Sequence, residues 1–239
     1  MNFDPPLQET RFRRRYQRFF MDVDPVGGGP EDPPLTVHCP NSGSMRGCVE
    51  TAGRVWISDS GNPKRKLRHT AEMVEVEGRA ARILVNTQRP NVLVEEALSA
   101  GIIASLAGAD SIDREVSYGT EHSRIDLRLR FGDRFAYVEV KNATMGVGHG
   151  RVLFPDAVTT RGAKHLRDLM GVVAAGHRGV ILFCAGRDDT RVVAPADDID
   201  PIYGKTLRHA ARQGVEVLAY RCDLGPERAV LAERISVDL

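Results

Sequence analysis

Lysine is scarce in this chain, which carries only five against 28 arginines, and no apolar run approaches the length of a membrane span. A spanning helix needs about 18 or more consecutive apolar residues. The opening MNFDPPLQET also lacks the charged-then-apolar layout of a secretory signal. The expected address is therefore the cytoplasm, with no membrane partner. Cysteine is sparse as well: Cys39, Cys48, Cys184 and Cys222 include no close pair of the kind that grips zinc or forms a redox dithiol. His38 beside Cys39, with Cys48 beyond, matches no standard zinc spacing, so the four are expected to be reduced thiols. A phosphate-cradling glycine loop is missing too, because GVGHG from Gly146 has the wrong spacing for one, which argues against a small-molecule phosphate enzyme. The net charge of +1 excludes a protein that coats nucleic acid through its overall charge, so any basic surface must be local. What remains is a chain of 239 residues, 42% hydrophobic, with room for one large or two small domains and a proper core.

The pattern changes character once along the chain. Up to about residue 88 it reads as short strands near Leu35–His38, Arg54–Ser58, Ala71–Val76 and Ala80–Val85, broken by glycine- and proline-bearing loops such as VGGGPEDPP from Val26. A small β-barrel over residues 1–88 is the natural closure. From Asn91, which can cap a helix, Leu93, Val94, Ala97 and Leu98 keep helical spacing towards Leu106, with Glu95 and Glu96 in the early turns. A strand over Ile112–Tyr118, a hairpin and a glycine-rich loop from Gly146 to Gly150 follow. Thr159 then caps a second helix with Leu166, Leu169, Met170 and Val173 on one side and Arg161, Lys164, His165 and Asp168 on the other. A strand at Arg178–Cys184, a helix at Pro201–Gln213 and strands at Val215–Tyr220 and Ala229–Ser236 complete the chain. The fold class is α+β in two domains: the small barrel, then an α/β unit with a mixed sheet over residues 89–239.

The hairpin carries the chemistry. Ile125, Leu127 and Leu129 alternate with polar residues, as do Ala136, Val138 and Val140, and Gly132-Asp133 between them suits a two-residue turn. Strand partners then have residue numbers summing to 265, which sets Leu127 against Val138, Ile125 against Val140 and, on the other face, Asp126 against Glu139. Two carboxylates about 5 Å apart repel by roughly 3 kcal/mol at an effective dielectric near 20. A hard divalent cation held by both, with water and phosphate completing its shell, relieves that repulsion. Lys141 lies two residues past Glu139 on the same face, about 6.8 Å along the strand, within reach of a scissile phosphate. The competing reading is a solvated ladder of surface ion pairs with Arg124, Arg128 and Arg130.

Two segments qualify as local basic surface. RFRRRYQRFF, from Arg11 to Phe20, interleaves arginines such as Arg13 and Arg15 with aromatics, as a phosphate-tracking and base-stacking surface does; an ordinary half-exposed strand reads the same way. NPKRKLRH places Lys64, Arg65 and Lys66 in a turn-like loop, where clustered charge is not a helix's solvated face. Arg161, Lys164 and His165 are further phosphate-contact candidates, against the reading that they form an exposed helix face.

The order helix, three strands, helix, strand, with Asp126 on the second strand and Glu139-x-Lys141 on the third, resembles the PD-(D/E)xK nuclease superfamily, Ile125 standing at the nominal proline. Pro155-Asp156 is a decoy, since no acid-x-Lys triplet follows it. Across nearly the whole chain, HCPNSGSM, SGNPKRKL, VNTQRPN, SRIDL, VEVKN, FPDAVTTRGAKHL and GVEVLAYRCDL resemble, in order, the sugar fermentation stimulation protein A family. That resemblance implies an OB-like first domain and a restriction-endonuclease-like second one, with DNA as partner. It also implies a catalytic set of Asp126, Glu139, Lys141 and the helix acid Glu96, with Mg²⁺ or Mn²⁺ held by Asp126, Glu139 and the Val140 carbonyl. The rival it allows is a non-catalytic DNA-binding regulator of sugar (maltose) metabolism. A homodimer is left open.

Overall fold

The computed structural model describes residues 1–28, 32–49, 52–76, 78 and 81–239. Gly29, Pro30 and Glu31 of the expected loop and Ala80 of the expected strand lie outside them. The first unit contains β1 (Gln8–Tyr16), β2 (Phe20–Pro25), β3 (Leu35–His38), β4 (Ala52–Asp59), β5 (His69–Val76) and β6 (Arg82–Leu84). The first five follow the order β3-β2-β1-β4-β5, and a parallel contact between His38 and Thr70 closes β3 onto β5. The result is the expected small barrel. Its interior is apolar, filled by Met21, Val37, Val55, Ile57, Val74 and Ile83 among others.

The second unit runs α1 (Arg89–Ser99), a single 3-10 turn at Ala104–Leu106, β7 (Ser111–Tyr118), β8 (Ser123–Phe131), β9 (Arg134–Ala143), β10 (Met145–Gly148), β11 (Arg151–Phe154), α2 (Thr160–Ala174), β12 (Arg178–Ala185), β13 (Val192–Pro195), α3 (Pro201–Arg212), β14 (Glu216–Leu224), β15 (Ala229–Arg234) and β16 (Ser236–Val237). Its main sheet has the order β15-β14-β12-β9-β8-β7. The sheet is mixed, because β12 pairs parallel with both β14 and β9 while the remaining neighbours are antiparallel. α1 covers one face with Leu93, Val94, Ala97 and Leu98, and α2 and α3 cover the other with Leu166, Leu169, Tyr203 and Leu207.

Several expected boundaries move for identifiable reasons. α1 starts at Arg89 rather than after Asn91, because Pro90 occupies its first turn, where a missing N–H costs nothing. It stops at Ser99 and does not run on to Leu106; Gly101, at φ +71°, turns the chain away. The stretch Gly146–Gly150, expected as a loop, is instead the tip of the β10–β11 hairpin, which joins a second small sheet of order β10-β11-β13-β16. Thr159 does cap α2, accepting a hydrogen bond from the Gly162 amide at 3.0 Å.

The two units share packing as well as a chain. Phe3, Leu7, Trp56, Met73 and Leu84 belong to the same apolar cluster as the α1 face of the main sheet. One buried carboxylate fixes how α1 leaves the barrel. Glu72 on β5 is fully buried and accepts hydrogen bonds from Ser58 Oγ and Asn86 Nδ2, both at 2.8 Å, and from Arg89 Nε and Nη2 at 2.9 and 2.6 Å. Glu72→Ala would leave the Arg89 guanidinium and two neutral donors without their acceptor, a loss of about 3–5 kcal/mol. Urea unfolding should register it as a lower midpoint with an unchanged slope.

Candidate metal centre

The hairpin keeps its expected register from Phe131–Arg134 as far as Leu127–Val138. There the ladder ends, so Asp126 is not paired across to Glu139, nor Ile125 to Val140. Ladder bonds alternate, and the next hydrogen-bonded pair would have joined the Val140 amide to Ile125. Instead that N–H donates to Asp126 Oδ2 at 2.7 Å. The other edge is interrupted at the same level: β7 pairs Arg114 with Leu127 and Val116 with Ile125, while Glu115, at φ +54°, steps out between them. The strand rolls at this point, because Leu127 packs in the layer under α1 and Ile125 in the layer under α2 and α3, although alternate residues normally share a face. The aspartate side chain thereby leaves the sheet face and turns to the opened strand edge. The Val140 carbonyl lies on the same strand edge as its amide, beside the Asp126 carboxylate.

Each carboxylate is held by neighbours. Asn91 on α1 donates from Nδ2 to Asp126 Oδ1 at 2.9 Å. Glu139, only 2% exposed, accepts from Lys141 Nζ at 2.5 Å and from His165 Nδ1, both on Oε1; its Oε2 is buried with no hydrogen-bond partner among the described residues. Burial, then the charge of Glu139, raises the Asp126 carboxyl above its ordinary value, with the Val140 amide, Asn91 and Lys141 opposing. Burial also pushes Glu139 upward, but the hydrogen bond from His165 and the charge of Lys141 outweigh it and hold the group below its ordinary value. Tyr118 reports the same crowding: burial, followed by the charges of Glu139, Asp168 and Asp126, raises its phenol. Among the described residues no group of three or more His, Cys, Asp or Glu side chains is spaced to hold a metal. The centre therefore offers two carboxylates and a backbone carbonyl, a hard-oxygen set of the kind Mg²⁺ accepts when water and phosphate supply the rest. The orphaned Glu139 oxygen and the nearness of its charge to the buried Asp126 carboxyl both fit a divalent cation.

Of the predicted set, Asp126, Glu139, Val140 and Lys141 come together here and Glu96 does not. Glu96 is exposed and pairs with the Met1 amino group, while Glu95 forms a two-pronged ion pair with Arg114. The residue α1 presents to the site is Asn91, five positions and 140° of helix away from Glu96. His165 is also displaced from its expected role: it is 3% exposed, so it faces Glu139 rather than solvent. Arg161 is exposed and donates from Nε to His165 Nε2 at 3.2 Å, and Lys164 is half-buried beside it. The only signal available beforehand was that Arg161 and His165 stand four apart on one helix face.

The basic candidates separate by their partners. Arg13 is paired with Asp24 at 2.8 Å, and Arg15 spends Nη2 on the Asn41 and Gly43 carbonyls at 2.7 and 3.0 Å, pinning a loop of the barrel. Lys64, Arg65 and Lys66 are exposed in the turn between β4 and β5, with no side-chain ion pair among the described residues. Arg65 lines a cleft of about 400 Å³ together with His38 and Ser60 of the barrel and with Asn86, Gln88 and Arg89 at the start of α1. Of the three cations Arg65 alone lines that cleft, whose walls also include Asp4 and Asp59 and which reaches the start of α1. Asp156, set aside as a decoy, instead accepts from Ser44 Oγ at 2.8 Å and ties a barrel loop to the second unit. All four cysteines are free thiols, and no described helix is long and apolar enough to cross a membrane.

Comparison with known proteins agrees with this architecture. Residues 14–83 match the SfsA N-terminal OB domain and residues 88–228 the sugar fermentation stimulation protein RE domain. The chain is 50% identical to the sugar fermentation stimulation protein homolog of Thioalkalivibrio sulfidiphilus over 239 residues, covering 100% of this chain and 98% of that one. It is 51% identical to the homolog of Pseudomonas paraeruginosa over 241 residues, covering 100% of both. The solved structure of Pyrococcus furiosus SfsA in complex with Ca²⁺ superposes with a TM-score of 0.85 at 22% identity, covering 100% of this chain and 98% of that one. With the two domain matches in chain order and half its residues shared over full length, the chain belongs to the sugar fermentation stimulation protein family.

Proposed function

We propose that this protein binds DNA and cleaves its phosphodiester backbone with the help of Mg²⁺ or Mn²⁺. The observation that carries the reading is the convergence of Asp126, Glu139 and Lys141 where the sheet opens, with one Glu139 oxygen buried and unsatisfied. Asp126 and Glu139 would hold the cation through carboxylate oxygens, with the Val140 carbonyl as a further ligand. When bound, it neutralises charge developing on the phosphate and makes water a better nucleophile. Asn91 keeps the Asp126 oxygens aimed at the site. Lys141, the lysine bonded to Glu139, would meet the scissile phosphate. The Ca²⁺ complex of the Pyrococcus furiosus relative supports a divalent cation, since Ca²⁺ and Mg²⁺ share a preference for oxygen ligands.

The DNA path would run over the turn bearing Lys64, Arg65 and Lys66 and along the cleft to α1, with Arg161 and Lys164 reaching phosphate from α2. Cleavage is tested by incubating linear, circular and single-stranded DNA with the protein in Mg²⁺, Mn²⁺ or EDTA. Products expected with metal and not with EDTA support the reading. Binding without cleavage under every condition would favour a non-catalytic DNA-binding regulator instead. The path is tested by salt titration: replacing Lys64, Arg65 and Lys66 with alanine should flatten the dependence of log affinity on log salt by about 0.9 per lost contact on duplex DNA. An unchanged slope would place the contact surface elsewhere.

A further inference from the structure

His165 is a buried histidine with both ring nitrogens committed, one to Glu139 and the other to an arginine that solvent can reach. We infer that Arg161, His165 and Glu139 form a positioning relay that presets the Glu139 carboxylate for a divalent cation, an inference that rests on the metal-site reading above. The donor pattern sets the direction. Arg161 Nε has a proton to give and no lone pair, so the His165 Nε2 it contacts at 3.2 Å must be the acceptor. The ring proton then sits on Nδ1, the nitrogen that meets Glu139 Oε1. The ring N–H on Nδ1 orients the carboxylate, and the ammonium of Lys141 on the same oxygen balances its charge.

The rest of the pocket explains why such a brace is needed. Glu139 Oε2 has no hydrogen-bond partner among the described residues, so the rotation of the carboxylate about its last bond is set through Oε1 alone, by His165 and by the flexible side chain of Lys141. The backbone of α2 holds the histidine in turn: Tyr118 Oη donates to the His165 carbonyl at 3.5 Å, and Leu166 and Leu169 anchor the helix in the core. Outer partners that orient metal ligands typically contribute 10- to 100-fold to metal affinity. Arg161 would thus act on the metal through His165 in the absence of any DNA, a role distinct from touching phosphate.

The test is calorimetric titration of the full chain with Mg²⁺ and with Ca²⁺, without DNA, alongside thermal melts in EDTA. His165→Gln places its amide at the Nε2 position and should weaken metal affinity about 10- to 100-fold. His165→Asn places its amide at the Nδ1 position and should restore most of that loss. Arg161→Ala, at an exposed position, should weaken affinity in the same direction with little change in the metal-free melt. Equal affinities for wild type, His165→Gln and Arg161→Ala would overturn the relay and leave the metal site standing. A wild type that binds neither ion would overturn both. Where His165→Gln fails to fold, the Arg161→Ala titration decides.

Discussion

Asp126→Asn should abolish metal-dependent cleavage and, in the same protein, raise the melting temperature measured in EDTA. If Asp126 holds the cation as proposed, loss of its carboxylate should reduce the rate by at least about a thousandfold, some 4 kcal/mol. The stability gain has a separate origin. In the metal-free protein, burial and the charge of Glu139 raise the Asp126 carboxyl above its ordinary value, so its ionised form is unfavourable in the fold. Asparagine keeps the shape, accepts the Val140 amide through its oxygen and, with the Asn91 amide flipped, donates to the Asn91 oxygen, yet carries no charge. Each kcal/mol relieved is worth about 2–4 °C in a chain of this size.

The pH dependence follows from the same shift. An acid whose folded value lies above its unfolded value near 3.9 binds its proton more tightly when folded. Metal-free wild type should therefore gain stability from Asp126 as pH falls from neutrality through the raised value, a rise absent from Asp126→Asn. Glu139, held below its ordinary value, works in a different window: its contribution is intact above about pH 4.3 and is lost at lower pH. Metal-dependent stabilisation should fade over the Asp126 window, because protons and cation compete for that carboxylate. Melts in EDTA and in excess Mg²⁺ from pH 7 to 4 separate the effects. An Asp126→Asn protein that melts below wild type in EDTA would show that the carboxylate is structural.

How much of this was legible beforehand can be traced residue by residue. Alternation in β8 and β9 and the Gly132-Asp133 turn predicted the register correctly through Leu127–Val138, because both signals are local and periodic. The break beyond that pair was not legible, since it arises from a side chain taking a backbone donor, and hydrophobic period carries no record of such a bond. The barrel was readable as short strands between turns, but its closure through His38 and Thr70 joins residues 32 apart in the chain. Glu96 enters the set through the family resemblance, which implies a helix acid. The hydrophobic period shows only that it lies off the buried stripe of Leu93, Val94, Ala97 and Leu98, and which polar residue of α1 meets Asp126 depends on a long-range contact that the period does not record. His165 was read from its helix face as solvated; only the burial of α2 against the sheet reverses that.

Lys141→Met should also cripple cleavage, though less completely than Asp126→Asn, while having the opposite effect on the metal-free protein. Lys141 lies 2.5 Å from Glu139 Oε1 and is the only lysine or arginine paired with that buried carboxylate among the described residues. Removing one partner of a buried pair leaves the other uncompensated, and losses of about 3–5 kcal/mol are typical when both are fully buried. Lys141 keeps some exposure, so the lower part of that range is expected, and the melt in EDTA should fall. Added Mg²⁺ or Ca²⁺ should restore more stability to this variant than to wild type, because the cation no longer competes with an ammonium for the same oxygen. Metal affinity without DNA should hold or rise, whereas cleavage should fall by about 100- to 1,000-fold for want of a donor at the phosphate. A variant that lost metal binding together with cleavage would make Lys141 a structural prop. One that kept both would remove it from the chemistry altogether. The signs therefore identify the roles: two variants both crippled on DNA, one melting above wild type and one below, with metal rescuing only the second, are what a charge-balanced cation site requires and a surface salt-bridge ladder does not.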